Sequence, residues 1–286
     1  MLRRTISQGL AVFVVGAMSA VPVITAHGSE APSSTMQGGS TDREGKPGSH
    51  AGPPYDFVTE LTGQFVVIPL KDQGQLTKTE HGYRFRTGQQ DSHLVVTVVD
   101  GGLSFVDTGT QRFKKLSPHC DRTKTRVGIA AVCKIPDGVT EAQPLLVEVW
   151  PRLGNDFTDT SSLPSTFAVT VLGDEGNDTA HFGAGPDFFN GHSGRDRVTG
   201  GDGNDWIRAG LGNDLVKGGS GDDDLIAMQG RDRVRAGDGA DRVGGDEGND
   251  RLWGDAGEDF ILCGTGQDSV TVDAEDRTPR DCETIN

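Results

Sequence analysis

In the last third of the chain an aspartate recurs at every ninth residue. The eleven aspartates are Asp178, Asp187, Asp196, Asp205, Asp214, Asp223, Asp232, Asp241, Asp250, Asp259 and Asp268. A glycine stands two residues before each of them, at Gly176, Gly185, Gly194, Gly203, Gly212, Gly221, Gly230, Gly239, Gly248, Gly257 and Gly266. Glycine adopts positive φ angles at no steric cost, so each pair indicates a tight turn beside a carboxylate. Carboxylate oxygens and turn carbonyls are the ligands that Ca²⁺ prefers. We therefore expect metal ligands from all eleven aspartates and from the turns at Gly176 to Gly257.

Short strands must position these aspartates. Two residues after each aspartate the side chain is apolar, at Ala180, Phe189, Val198, Ile207, Val216, Leu225, Val234, Val243, Leu252, Ile261 and Val270. An apolar residue between more polar neighbours is typical of a short, half-buried strand. Each repeat thus predicts one turn and one strand, and two repeats make a coil of eighteen residues with a strand on each side. The predicted fold class is all-β, a parallel β-roll with two facing apolar ladders.

In such a coil, aspartates eighteen residues apart lie one above the other. Stacked carboxylates about 5 Å apart repel each other, and the narrow apolar seam buries too little surface to overcome that repulsion. A Ca²⁺ ion between two stacked carboxylates would replace their repulsion by attraction to a shared cation. The eleven aspartates form at most nine such pairs at an offset of eighteen residues. Gly154-Asn155-Asp156 repeats the turn one coil and four residues before Asp178, so Asp156 is a candidate further ligand.

The repeats resemble the RTX, or haemolysin-type, calcium-binding nonapeptide family, whose pattern is G-G-x-G-x-D-x-U-x with U apolar. The nearest copies are GGDGNDWI at residues 200–207 and GGSGDDDL at residues 218–225. The resemblance covers residues 173–271 and implies a right-handed parallel β-roll that holds Ca²⁺ in its turns. The departures lie mostly at the first two places of the repeat. Phe182, Ala209, Ala227, Ala236 and Cys263 replace the first glycine, and His192, Met228 and several aspartates replace the second.

Acidic residues are concentrated in these repeats. The chain has a net charge of −15, and residues 173–271 hold 21 acidic and 9 basic residues, a net charge of −12. Such a charge argues against nucleic acid and against anionic lipid as partners, and it favours a cation, for which calcium ions are the simplest choice. Beyond the N-terminus no segment approaches the roughly 18 apolar residues of a membrane span.

Residues 1–26 are predicted to be a signal peptide. Arg3 and Arg4 precede a short apolar stretch that ends at Ile24, and the small residues Thr25 and Ala26 indicate cleavage after Ala26. The alternative is a membrane anchor, but glycine, serine and proline interrupt the stretch. Residues 27–54 contain almost no large apolar side chains and are predicted to be a disordered linker. The protein is therefore expected to be secreted and extracellular.

The four cysteines of an exported chain are expected to form two disulfides. Sequence alone allows three connectivities, and the shortest loops favour Cys120 with Cys133 and Cys263 with Cys282. Residues 272–286 lack the repeat. They are predicted to form a C-terminal cap that Cys282 ties to the last coil, and the alternative is a free tail.

Residues 55–172 alternate in the manner of β-strands. The clearest strands are 65–68, 93–99, 127–132 and 145–149, and Gly101-Gly102 predicts a hairpin turn that leads into residues 103–106. This region is expected to be a small, strand-rich N-terminal domain that caps the roll. The alternative is a separate functional domain.

Motifs for enzymatic chemistry are missing from the sequence, which has neither an H-E-x-x-H zinc helix nor a G-x-S-x-G nucleophile elbow. The predicted function is that of a secreted, non-catalytic calcium-binding β-roll with a structural or interaction role and calcium-coupled folding. The alternative is a small hydrolase or ligand-binding domain at residues 55–172 on a calcium-dependent scaffold. The sequence does not identify an extracellular or cell-surface partner.

Overall fold

The structure is a computed structural model that describes residues 73–88 and 90–286. The predicted signal peptide, the predicted linker and the predicted strand at residues 65–68 lie outside these residues. The described part of the chain contains β-strands and no helix, as the alternating pattern predicted. Accordingly, no helix in this part could span a membrane.

The strands before the repeats are β1 (Gln73–Lys78), β2 (Gly82–Arg86), β3 (His93–Val99), β4 (Gly102–Asp107), β5 (Arg112–Leu116), β6 (Cys120–Arg122), β7 (Ile129–Cys133), β8 (Leu145–Trp150), β9 (Phe157–Asp159) and β10 (Phe167–Leu172). The strands of the repeats and the tail are β11 (Thr179–His181), β12 (Phe188–Asn190), β13 (Arg197–Asp202), β14 (Trp206–Gly212), β15 (Leu215–Ser220), β16 (Asp224–Gly230), β17 (Arg233–Asp238), β18 (Arg242–Gly244), β19 (Glu247–Gly248), β20 (Arg251–Ala256), β21 (Phe260–Leu262), β22 (Thr265–Gly266), β23 (Ser269–Thr271) and β24 (Thr284–Ile285).

The strands form two sheets of twelve strands each. We call the sheet that contains β12, β14, β16, β18 and β21 sheet A, and the sheet that contains β11, β13, β15, β17, β20 and β23 sheet B. Neighbouring strands pair in parallel at an offset of eighteen residues, as Ile207 pairs with Leu225 in sheet A and Val198 with Val216 in sheet B. The chain therefore winds as the parallel β-roll that the repeat period predicted.

Two ladders of apolar side chains fill the space between the sheets. All eleven predicted ladder residues are at most 3 % exposed. The residues that replace the first glycine of the repeat, including Phe182 and Cys263, are also buried and add to this core. Burial of one Val, Leu or Ile side chain contributes about 1.5–3 kcal/mol, so the ladders hold the sheets together, but the seam remains narrow.

Both sheets continue upstream of residue 173. In sheet A, β10, β8 and β2 follow β12 in parallel order, and in sheet B, β9 and β3 follow β11. Antiparallel strands complete this end, because β1 pairs with β2, β4 pairs with β3 and β7, and β6 pairs with β7. The predicted Gly101-Gly102 pair joins β3 to β4, with Gly101 in the turn and Gly102 as the first residue of β4. Tyr83, Phe85 and Phe105 give this part a wider core than the repeats have.

Two disulfides link neighbouring segments of the described chain. Cys120 bonds to Cys133 between β6 and β7, and Cys263 bonds to Cys282, which attaches the tail to the last coil. These are the local pairings that the loop lengths favoured. The tail strand β24 pairs in parallel with β23, so it covers the end of sheet B.

Candidate metal centre

The eleven repeat aspartates lie in two columns, one along each edge of the roll. The first column contains Asp178, Asp196, Asp214, Asp232, Asp250 and Asp268, and the second contains Asp187, Asp205, Asp223, Asp241 and Asp259. All eleven are at most 4 % exposed. Each aspartate follows the turn that its glycine forms and precedes a strand, so the parallel register of the strands sets the spacing of the column.

One carboxylate oxygen of each aspartate binds the preceding coil. The backbone N–H of Asp178 donates to Oδ1 of Asp196 at 2.7 Å, and the same bond recurs at 2.7–2.9 Å in all nine stacked pairs. Hydrogen bonds to an ionised acceptor are stronger than neutral ones. These bonds fix the carboxylates in register along both edges, and they leave the second oxygen of each carboxylate for another role.

That second oxygen has no hydrogen-bond partner in ten of the eleven turns. Oδ2 of every repeat aspartate except Asp187 is buried without a donor among the described residues. In Asp187 this oxygen accepts the backbone N–H of Gly183 at 3.3 Å. A buried acceptor without a partner costs about 1–3 kcal/mol, and more when it is charged. The turns therefore contain a regular series of oxygens that a cation would satisfy.

The first glycine of the repeat leaves space beside this oxygen. A Cβ atom on Gly200 would lie 2.2 Å from Oδ2 of Asp205 and 2.5 Å from the carbonyl oxygen of Gly218 in the next coil. The same pair of neighbours, a carboxylate oxygen and a carbonyl oxygen, occurs at Gly173, Gly191, Gly218 and Gly245. Hard oxygens of this kind from two successive coils are suitable ligands for Ca²⁺. The residues present therefore fit a calcium ion.

Burial raises the pKa of the column carboxyls above the ordinary value of 3.8. Desolvation is the largest cause throughout, and neighbouring carboxylates add to it in several turns, as Asp214 and Asp250 do for Asp232. The pKa is raised to about 6 for Asp178, Asp214 and Asp250, and to about 7 for Asp196, Asp223, Asp232, Asp241 and Asp259. The pKa values of Asp187, Asp205 and Asp268 are raised as well. Ionised carboxylates in these columns thus require a nearby positive charge.

Asp156 extends the first column at its N-terminal end. It is 3 % exposed, and its backbone N–H donates to Oδ1 of Asp178 at 2.8 Å. Its own Oδ1 accepts the N–H of Ser92, which lies 64 residues earlier in the chain. Oδ2 has no partner, and burial raises the pKa of Asp156 to about 8. The candidate ligand that the Gly154-Asn155-Asp156 turn suggested therefore has the same surroundings as the repeat aspartates.

Asp276 and Glu283 extend the columns at the other end, and the sequence reasoning did not identify them. Oδ1 of Asp276 accepts the N–H of Asp259 at 3.2 Å, and Oε2 of Glu283 accepts that of Asp268 at 2.7 Å. They follow their partners by 17 and 15 residues instead of 18, so a search at a fixed period misses them. The only sequence feature that could have indicated these two ligands is the presence of a carboxylate about one coil after each of the last two aspartates.

The second place of the repeat is left-handed even where it is not glycine. His192 has a φ of 69° and Met228 a φ of 81°. The aspartates of these two repeats, Asp196 and Asp232, still donate to the next aspartate at 2.8 Å. The replacements therefore leave the column geometry unchanged. In the part of the chain described, no three His, Cys, Asp or Glu side chains converge as a metal cluster, because each turn combines two carboxylates with backbone carbonyls.

Comparison with known protein families identifies four copies of the RTX calcium-binding nonapeptide repeat. They match residues 166–189, 181–216, 217–252 and 235–270. A comparison with curated proteins finds no match. The four copies together include all eleven repeat aspartates, and the first copy begins one residue before β10, where sheet A enters the repeats. Residues 166–270 of this chain thus match the RTX calcium-binding nonapeptide repeat, in four overlapping copies.

Proposed function

We propose that the protein is a secreted, non-catalytic calcium-binding scaffold whose roll folds as Ca²⁺ enters its turns. The observation that carries this proposal is the series of buried Oδ2 atoms without a partner, five of which lie beside a first-place glycine and a carbonyl oxygen of the next coil. The eleven repeat aspartates would hold the ions together with the glycine-turn carbonyls. Asp156, Asp276 and Glu283 would contribute at the ends. A bound Ca²⁺ supplies the positive charge that two stacked carboxylates share.

The magnitudes explain why folding would depend on the ion. A pKa of about 7 instead of 3.8 corresponds to about 4 kcal/mol against ionisation of one buried carboxyl. A whole domain is stable by only about 5–15 kcal/mol, so a few such carboxyls are enough to cancel its stability. Above pH 7 without a divalent cation, the columns therefore oppose the fold. A cation that binds only the folded columns reverses this balance by mass action.

Secretion is proposed from two features that agree with each other. Residues 1–26 have the composition of an export signal. The disulfides Cys120–Cys133 and Cys263–Cys282 belong to an oxidising compartment. Extracellular calcium modules bind with dissociation constants of about 10⁻⁴–10⁻³ M, so a roll of this kind would be loaded after it leaves the cell.

The proposed absence of catalysis is supported by the way residues 73–172 use two of their buried carboxylates, which lie outside the columns. Asp107 is fully buried and accepts hydrogen bonds from the N–H groups of His93 and Gly109 and from the hydroxyl of Thr110. Glu148 is paired with Arg84 at 2.7 Å. Both carboxylates are thus occupied in holding strands together. A hydrolase at residues 55–172 would label with active-site probes for serine or cysteine nucleophiles, and we expect no labelling.

A calcium titration of residues 27–286 tests the proposal. Far-UV circular dichroism is expected to show a cooperative gain of β signal with Ca²⁺ and little change with Mg²⁺, which requires stricter geometry and retains its waters. Equilibrium dialysis on the same samples gives the number of bound ions. A spectrum that is already complete in chelator and indifferent to Ca²⁺ would overturn the proposal, because the ladders and disulfides would then suffice.

A further inference from the structure

The two edges of the roll have the same architecture but different side chains beside their aspartates. On the first-column edge, the residues that flank Asp196 to Asp268 are Arg195, Arg197, Asn213, Leu215, Arg231, Arg233, Asn249, Arg251, Gln267 and Ser269. On the second-column edge, the corresponding residues are Pro186, Phe188, Asn204, Trp206, Asp222, Asp224, Ala240, Arg242, Glu258 and Phe260. The first edge has five arginines and no acidic residue, and the second has one arginine and three acidic residues. Offsetting the charge of the columns would require arginines on both edges, so the fold does not explain this asymmetry.

The five arginines line one groove along the first-column edge. Arg195, Arg197, Arg231, Arg233 and Arg251 border a cavity of about 720 Å³ that extends past Asn249 and Asp250 to Gln267 and Ser269. All five side chains are exposed. Among residues 73–88 and 90–286, no carboxylate lies within 4.0 Å of these guanidinium groups as an ion pair. At the strand spacing of about 4.8 Å, the groove is roughly 19 Å long. We call it the arginine groove.

Calcium would change the charge of the arginine groove. Its lining contains the five arginines and four column aspartates, Asp196, Asp214, Asp232 and Asp250, so it is close to neutral when these carboxylates are ionised and free. Ca²⁺ ions held by the aspartates would add two positive charges each at the floor of the groove and leave the arginines uncompensated. This step rests on the proposed function. The arginine groove would therefore become cationic, although the net charge of the repeats is negative.

We propose that the arginine groove binds a linear acidic polysaccharide when the columns are loaded with calcium. Guanidinium groups bind carboxylate and sulfate groups through two parallel hydrogen bonds, which suits exposed arginines along a groove. Five arginines over four coils correspond to about one charge per coil of about 4.8 Å. Duplex DNA has one charge about every 1.7 Å, which is far denser, whereas an acidic sugar chain has one charge per unit or per two units.

The neighbouring face of sheet B adds features that favour a sugar chain. Lys217 and Arg235 are exposed on this face, next to each other in the register of β15 and β17. Trp253 follows Arg235 in register on β20 and is half-buried, so one side of its indole ring can pack against a sugar. Arg235 is also fixed in place by Asp255, at 2.8 Å.

Binding to dextran sulfate tests the proposal, with neutral dextran and duplex DNA as comparison ligands. The double variant Arg233→Gln/Arg251→Gln removes two charges from the groove. The matched control Arg208→Gln/Arg242→Gln removes two charges from sheet A. In saturating Ca²⁺ the first variant is expected to bind dextran sulfate about fivefold more weakly and with a shallower salt dependence, by about 1.4 in the log–log slope. The control is expected to bind like the parent chain.

Calcium-induced folding is measured by circular dichroism on the same samples, which separates the two proposals. A parent chain that folds with Ca²⁺ but binds dextran sulfate no better than neutral dextran overturns this inference alone. Equal loss of binding in both double variants, or tighter binding to duplex DNA than to dextran sulfate, also overturns it. Failure to take up Ca²⁺ would overturn the proposed function, and binding that is equally strong in chelator would overturn the calcium dependence inferred here.

Discussion

Replacement of Asp223 by asparagine is expected to have opposite effects with and without calcium. Asp223 is fully buried in the middle of the second column, where its Oδ1 accepts the N–H of Asp205 and its Oδ2 has no partner. Asparagine keeps an oxygen acceptor for that N–H. It removes the negative charge and presents an amide NH₂ group in place of the second oxygen. The variant should therefore stabilise the calcium-free roll and weaken calcium binding.

The size of the first effect follows from the pKa. Burial raises the pKa of Asp223 to about 7 from 3.8, so the folded chain binds a proton more tightly than the unfolded chain. Stability from this group is present below about pH 4 and is lost as the pH rises through about 7. At pH 8 the loss is up to about 4 kcal/mol, and Asp223→Asn removes it. With calcium, the variant loses a charged ligand that two stacked pairs share, and the midpoint calcium concentration is expected to rise on the order of tenfold.

Urea unfolding in chelator at pH 8 and at pH 5, followed by circular dichroism, measures the first effect, and a calcium titration at pH 8 measures the second. Asp222→Asn is the matched control. It removes the same charge one residue earlier, at a half-buried position outside the column, and keeps an acceptor for the N–H of Ala240. Destabilisation of the calcium-free chain at pH 8 by Asp223→Asn would contradict this expectation, because it would mean that another group already compensates the buried carboxylate.

Three further results are expected. In chelator, a fall from pH 8 to pH 5 should increase the β signal of the parent chain. The column carboxyls have pKa values of about 6–8 in the folded state, so their protonation over this range stabilises the folded chain. A loss of β signal over the same range would contradict the burial of these carboxyls. Asp276→Asn and Glu283→Gln should each lower the number of bound Ca²⁺ ions by one in equilibrium dialysis, and an unchanged number would mean that the tail closes the columns by hydrogen bonds alone. In saturating Ca²⁺, Gly212→Ala should lower the urea midpoint strongly, because its Cβ would lie 1.5 Å from the carbonyl oxygen of Gly194. Met228→Gly should instead raise the free energy of unfolding by about 1 kcal/mol, because glycine adopts the left-handed φ at this position without strain. Changes in the same direction would show that these φ angles do not determine the stability of the roll.

The repeat region could be predicted because one offset relates every coil to the next. Glycine, aspartate and an apolar residue at fixed places determine a turn, a column position and a ladder position, and the same interpretation applies to all eleven repeats. The pairing of Val198 with Val216 and the stacking of Asp178 on Asp196 follow directly from this offset. The hairpin at Gly101-Gly102 was predicted from local turn chemistry in the same way.

The remaining features depend on contacts that no period specifies. Ser92 donates to Asp156 across 64 residues, and Asp276 and Glu283 reach their partners across 17 and 15. Connections of unequal length set these contacts through packing, so their register cannot be read from spacing. The arginine groove was missed for a different reason. Apart from the eleven buried column aspartates, the repeats have ten acidic and nine basic residues, so the total charge of the region misrepresents its surface.

The hydrogen-bond ladder of the columns has a polarity along the chain. The N–H of each coil is satisfied by a carboxylate of the coil that is made after it, and those of Asp259 and Asp268 are satisfied by Asp276 and Glu283. Since synthesis begins at the N-terminus, the amides of the newest coil stay unpaired until the following coil is made, and those of Asp259 and Asp268 until Asp276 and Glu283 are made. A chain that stops anywhere within the repeats ends in a coil with unpaired amides and an open sheet edge.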